Sequence, residues 1–195
     1  MTVVSPCPLS VEEYARGSGR AADPVLLSSL SRSLRPESGY WRQVRHRGVR
    51  HRLWVHRARC TPCASTHALL PDFVVLHHLD SVDTIAAAVS GRTDLCVPAT
   101  TAAGWRRRWR ANHAELVAGI SAALVAVSGV APAGADASSL PALVAAVWLA
   151  VRDRARTSLT PWRLLNVMTG TTWLADRVNS SWAGIGRVPH AVRGP

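Results

Sequence analysis

The chain has 195 residues, a mass of 21.0 kDa, 23 basic against 12 acidic residues and a formal net charge of +11. A hydrophobic content of 48% with 18% charged residues excludes wholesale disorder, and one Phe against eight Trp leaves Ala, Val, Leu and Trp to build the core. All 23 basic residues are Arg, and their excess over acid points to an anionic partner, nucleic acid ahead of a membrane surface.

Residues 1–37 read as a weakly helical leader. Residues 1–10 carry neither a basic n-region nor a long apolar stretch. Four Cys are too few for a secreted disulfide scaffold, so the expected setting is the cytoplasm with reduced thiols. Residues 11–16 predict a short helix. A second is expected from Asp23-Pro24 through Leu34, on the spacing of Leu26, Leu27, Leu30 and Leu34.

Residues 38–79 change character. Tyr40, Trp41 and Val44, then Val49, Leu53, Trp54 and Val55, are β-formers threaded through Arg and His. Arg47-Gly48 between the two runs reads as a hairpin turn, with Gly48 supplying a positive φ. Seven Arg and no acid lie between Glu37 and Asp72. A solvated face ordinarily mixes signs. Arg42, Arg45, Arg47, Arg50, Arg52 and Arg57 are therefore read as facing phosphate, against the alternative that they are merely solvated.

Cys60 and Cys63 follow in a Cys-x-x-Cys spacing that lets two thiolates reach one tetrahedral metal. A redox pair is the other chemistry of this spacing, but the βαβ setting it needs is absent. His46, His51, His56 and His67 are the available nitrogen donors, and no regular spacing selects among them. The expected cofactor is either none or one structural zinc, with a metal-free hairpin as the plainer alternative.

Residues 80–113 read as a helix-turn-helix-like module. Ser81 caps a helix with an apolar face at Val82, Ile85, Ala86 and Val89, which ends at Gly91. Pro98 opens a second helix, where Trp105 and Trp109 share one face at i, i+4. Small residues at its start (Ala99, Thr100, Ala103) suit approach to base edges, and Arg106, Arg107 and Arg110 suit phosphate. An ordinary amphipathic surface helix gives the same pattern.

Residues 114–170 read as Ala-rich helices at 115–127, 139–156 and 161–168, the last capped by Thr160. Residues 171–195 read as a flexible basic tail. The uncharged stretch 116–135 is long enough for a membrane span, so a small membrane-associated protein is the alternative. Its Ala, Gly and Ser content and Pro132 favour a buried helix instead.

The run 45–71, with Cys-x-x-Cys-x-x-x-His-Ala-Leu-Leu-Pro at its end, resembles an uncharacterised bacterial family with a zinc-ribbon-like segment followed by a helix-turn-helix. That family is similar to the N-terminal DNA-binding part of insertion-sequence transposases. Val97-Pro98-Ala99-Thr100-Thr101 with Gly104-Trp105-Arg106-Arg107, and Cys7-Pro8-Leu9-Ser10 near the start, carry the same resemblance. The resemblance implies a first Cys-Pro-x-Cys pair upstream of the hairpin; residues 25–30 contain no Cys.

Together these readings predict a mainly α fold with a small N-terminal β-hairpin, degenerate and zinc-ribbon-like, then the helix-turn-helix-like module and the Ala-rich helices. No grouping of carboxylates, nucleophile dyad or Gly-rich phosphate loop is evident, so no catalysis is expected. The expected function is a non-catalytic, transposase-like or regulatory protein that binds duplex DNA at the nucleoid. A homodimer is possible, and no membrane or small-molecule partner is expected.

Overall fold

The computed structural model describes residues 2–17, 34–128, 145, 149, 160–169, 173 and 174. In chain order these form β1 (Thr2–Ser5), α1 (Val11–Gly17), β2 (Leu34–His46), β3 (Val49–Cys60), β4 (Thr66–Pro71), α2 (Val82–Val89), α3 (Ala99–Ala111), α4 (His113–Ser128) and α5 (Pro161–Met168).

The mainly α expectation is overturned, because the β component is a four-stranded sheet and not a small hairpin. The four strands form one mixed sheet in the order β1-β4-β3-β2, with β1 parallel to β4 and the other pairs antiparallel. The hairpin strands run 13 and 12 residues, beginning at Leu34 rather than near Tyr40. Leu34 itself, expected to end a helix, opens β2 and pairs with Cys60. Glu37, Ser38 and Gly39 read locally as strand breakers. Pro36 is accommodated because β2 is an edge strand, beside a register shift between Pro36 and Ser38. The turn is the expected one: Arg47 and Gly48 have φ of 49 and 83, the paired positive values of a tight hairpin turn.

One core lies on a single face of the sheet. Val44, Leu53, Val55, Leu70, Phe73 and Val74 pack with Cys7, Val11 and Tyr14. Helix α1 starts on a reciprocal cap: Ser10 N–H donates to Glu13 Oε2 at 2.8 Å, and Glu13 N–H to Ser10 Oγ at 3.1 Å. Tyr14 Oη then donates to the Trp54 carbonyl at 3.0 Å and fixes α1 on β3.

A second core is helical. Val82, Ile85 and Ala88 of α2, Ala102, Trp105 and Trp109 of α3, Leu116 and Ile120 of α4, and Leu165 of α5 pack together with Trp173 and Leu174. Trp109, Trp162 and Trp173 form a ring cluster with centroids 5.3–5.9 Å apart. Trp173 and Leu174 fall in the segment expected to be a loose tail; their burial corrects that expectation for these two residues. Buried Asn166 joins the cores. Its Nδ2 donates to the carbonyls of Asp72 and Val74 at 2.8 and 2.9 Å, and its Oδ1 accepts from Trp173 Nε1 at 3.0 Å. Beside it, Arg163 meets Asp72 at 3.5 Å and Asp83 at 3.4 Å. Asp72 also accepts from the Cys7 N–H at 2.7 Å, yet burial pushes its carboxyl up to about 7.

The expected caps are in place: Ser81 Oγ accepts from Thr84 N, and Thr160 Oγ1 accepts from Arg163 N. The expected helix from Asp23-Pro24 lies outside the described residues except for Leu34, and that at 139–156 except for residues 145 and 149, both helical. Among the described residues no helix is long and apolar enough to cross a membrane. Within the stretch weighed as a span, Leu116 and Ile120 are instead buried in the helical core.

Candidate functional site

The seven Arg of the hairpin region separate into three sets. Arg42 Nη2 donates to the carbonyls of Val75 and His78 at 2.8 and 2.9 Å. Arg45 grips Asp80 with Nε and Nη2 at 2.6 and 2.9 Å, and that bond raises its pKa further. These two side chains fasten β2 to the segment leading into α2. The third tie is His46 Nδ1 with Ser81 Oγ at 2.9 Å. Arg47, Arg50, Arg52 and Arg57 are exposed. Arg59 is drawn toward Glu37, 3.9 Å away, whose other oxygen accepts from Thr66 Oγ1.

Helix α3 presents Ala99, Thr100, Ala103, Arg107 and Arg110 to solvent and buries Ala102, Trp105 and Trp109. Arg106 is half-buried and donates to the Ala88 carbonyl at 3.4 Å, tying α3 to α2. Residues 90–98 join the two helices, a longer link than the three or four residues of a tight helix-turn-helix. That link crosses the hairpin tip. A Cβ on Gly48 would stand 2.8 Å from Cys96 Cβ and 3.0 Å from its Sγ, so Cys96 rests on the bare glycine. Ala99 begins α3 three residues later. The link that leads into α3 thus packs on the hairpin tip, nearly fifty residues away in sequence.

At the other end of β3, Cys60, Cys63 and His67 form the one group of three potential metal ligands among the described residues. Their ligand atoms all lie within 4.8 Å of one another. The turn closes tightly: Cys60 N–H donates to the Ser65 carbonyl at 2.8 Å, and Ala64 takes a positive φ of 53. Cys63 Sγ and His67 Nε2 are 3.6 Å apart. Zinc bond lengths of about 2.3 Å to sulfur and 2.0 Å to nitrogen place two tetrahedral ligands about 3.5 Å apart, so the spacing fits. The His67 contact, with help from Ser65 and Cys60, brings the Cys63 thiol down to about 6, which favours the thiolate a metal needs. His67 Nδ1 is buried without a hydrogen-bond partner.

Of the four candidate histidines, the fold selects His67. His46 is tied to Ser81, and His51 has a buried Nε2 with no hydrogen-bond partner. The clue available in the sequence was the four-residue step from Cys63 in the turn to His67, the second residue of β4. Sequence reasoning read Trp41 and Trp54 only as β-formers and passed over their cross-strand pairing, and it passed over Asp80 as the fixed partner of Arg45.

Residues 31–109 match a domain of unknown function, DUF6431. The matched segment spans the hairpin, β4, α2 and all of α3 except its last two residues. It therefore contains the exposed Arg, the Cys60–Cys63–His67 group and the Gly48–Cys96 contact, apart from Arg110 at the end of α3. No curated protein and no solved structure matches the chain.

Proposed function

We propose that this protein binds duplex DNA without catalysing a reaction on it, holding the duplex with the tip of the β2–β3 hairpin and the exposed face of α3. The observation that carries this reading is the seating of Cys96 on Gly48. It brings the link that leads into α3 onto the hairpin tip; Arg47 and Arg50 are exposed at that tip, and α3 exposes Ala99 and Thr100 at its start with Arg107 and Arg110 further along. Small side chains let a helix approach base edges, and flanking guanidiniums neutralise phosphates. The role of Arg106 in this reading is to position α3 on α2. Arg42 and Arg45 have a similar supporting role, because Arg42 Nη2 is held by two carbonyls and Arg45 grips Asp80.

The reading includes one zinc ion on Cys60, Cys63 and His67. Bound there, zinc would supply a crosslink between the end of β3 and the start of β4 and would hold the base of the hairpin. Three ligands are one short of a closed structural site. Retention weaker than that of a four-ligand knuckle follows.

The test is the Arg107→Gln/Arg110→Gln variant, checked for an unchanged melting temperature. Duplex affinity should fall for all sequences alike, and the log–log salt slope should decrease by about 0.9 for each phosphate no longer neutralised. A folded double variant with unchanged affinity and slope would overturn the proposal.

A further inference from the structure

The outer face of the hairpin carries a feature that duplex binding does not use. Trp41 and Trp54 are opposed across β2 and β3, with ring centroids 5.2 Å apart in an edge-to-face arrangement. The pairs on the same face are Gly39 with His56, Gln43 with Arg52 and Arg45 with Arg50. Trp54 lies against Gly39, where any Cβ would collide with the indole ring. The glycine thus leaves Trp54 room to lie on the strand, and Trp54 in turn packs edge-to-face with Trp41. The Arg52 guanidinium stacks over Trp41 at 4.4 Å from the ring centroid. Trp41 nevertheless remains 43% exposed.

A large indole at the surface of a strand, under a guanidinium and on the same face as exposed Arg50, is a surface with two chemical demands. It offers an exposed indole with a guanidinium stacked on it, and the exposed charges on this face, Arg50 and Arg52, are positive, while the hairpin's single acid, Glu37, is engaged by Arg59 and Thr66. An acidic peptide satisfies the charge but not the ring. A duplex satisfies the charge but keeps its base faces stacked on one another. An unpaired nucleobase with its phosphate satisfies both, because every base has a π-face and Arg planes stack on bases as well.

The geometry points to Trp41, packed edge-to-face with Trp54 and overlain by the Arg52 guanidinium, as a stacking platform for an unpaired base of single-stranded nucleic acid, with Arg52 meeting the adjoining phosphate. This inference rests on the reading of the chain as a nucleic-acid-binding protein and adds a second, strand-selective site to it. The protein would then engage a duplex beside an unpaired stretch.

The experiment measures anisotropy of labelled single-stranded DNA, single-stranded RNA and duplex DNA oligonucleotides with the full chain and with Trp41→Ala. Removing the platform for one stacked base should weaken single-strand binding about 5- to 150-fold while duplex affinity stays within about twofold. Trp41→Phe, which keeps a ring, should recover most of the deficit. If Trp41→Ala does not fold, Trp41→Leu, which keeps apolar bulk without a ring, takes its place with the same expectation. The DNA and RNA arms identify which strand the platform prefers. Single-strand affinity unchanged in a folded ring-less variant, or reduced equally for single strand and duplex, would overturn the inference. Duplex binding by the wild type with no single-strand binding would overturn it while leaving the proposed function standing; binding to neither would sink both.

Discussion

Gly48 is the position where one atom should separate fold from function. Replacing it with Asn leaves the turn nearly intact, because Asn tolerates the left-handed region better than most residues. The new Cβ, however, would stand 2.8 Å from Cys96 Cβ, closer than side chains pack, so the 90–98 link must move off the hairpin tip. The expected stability cost is about 1–2 kcal/mol, in the range of a modest overpacking. The functional cost is larger. If the shift carries α3 away from the tip, Arg47 and Arg50 no longer reach the phosphates that α3 spans. With two phosphates fewer neutralised, the salt slope falls by about 1.8, so the drop in affinity between 50 mM and 200 mM salt shrinks by about tenfold relative to wild type. Anisotropy titrations of a duplex across that salt range, with melts on the same samples, measure both quantities. Adding Cys96→Gly removes the colliding atom and should restore most of the affinity, giving a non-additive double-mutant cycle. A Gly48→Asn protein that is destabilised yet binds duplex with the wild-type slope would refute the coupling between hairpin tip and α3.

Two further outcomes follow from the same geometry. Purified protein should carry zinc below one equivalent and take up about one equivalent on reconstitution, by elemental analysis; Cys60→Ser and His67→Ala should each abolish uptake, and a full equivalent retained after Cys60→Ser would exclude this site. Asp72, with its carboxyl held up at about 7 against an ordinary 3.8, is protonated in the folded chain and ionised in the unfolded one between those values. Stability should therefore decline as pH rises through about 4 to 7 and level off above, by a term on the order of 4 kcal/mol at most. Asp72→Asn should remove that slope in chemical denaturation at several pH values, and equal slopes in the two proteins would show that the folded carboxyl titrates normally.

The local devices of this protein are written in its sequence because they depend on residues a few positions apart. Arg47-Gly48 sets the hairpin turn; Ser81 and Thr160 cap α2 and α5; Trp105 and Trp109, one helical turn apart, both face inward. The extent of the sheet was not legible. Thr2–Ser5 is four residues long and becomes a strand by pairing in parallel with 68–71, a pairing that no local pattern encodes. Pro36 and Gly39 look like breakers until β2 is known to be an edge strand and Gly39 to be covered by Trp54. The site divides in the same way. Seven Arg in one run are chemically identical on paper. Only the approach of Asp80 and of the Val75 and His78 carbonyls withdraws Arg45 and Arg42 from solvent and leaves Arg47, Arg50, Arg52 and Arg57 available to a partner. Cys60 and Cys63 announce a metal-ligand spacing by themselves. Which histidine completes the group is decided by where β4 starts, since side chains reach one another through space and the chain's long-range pairings determine that space.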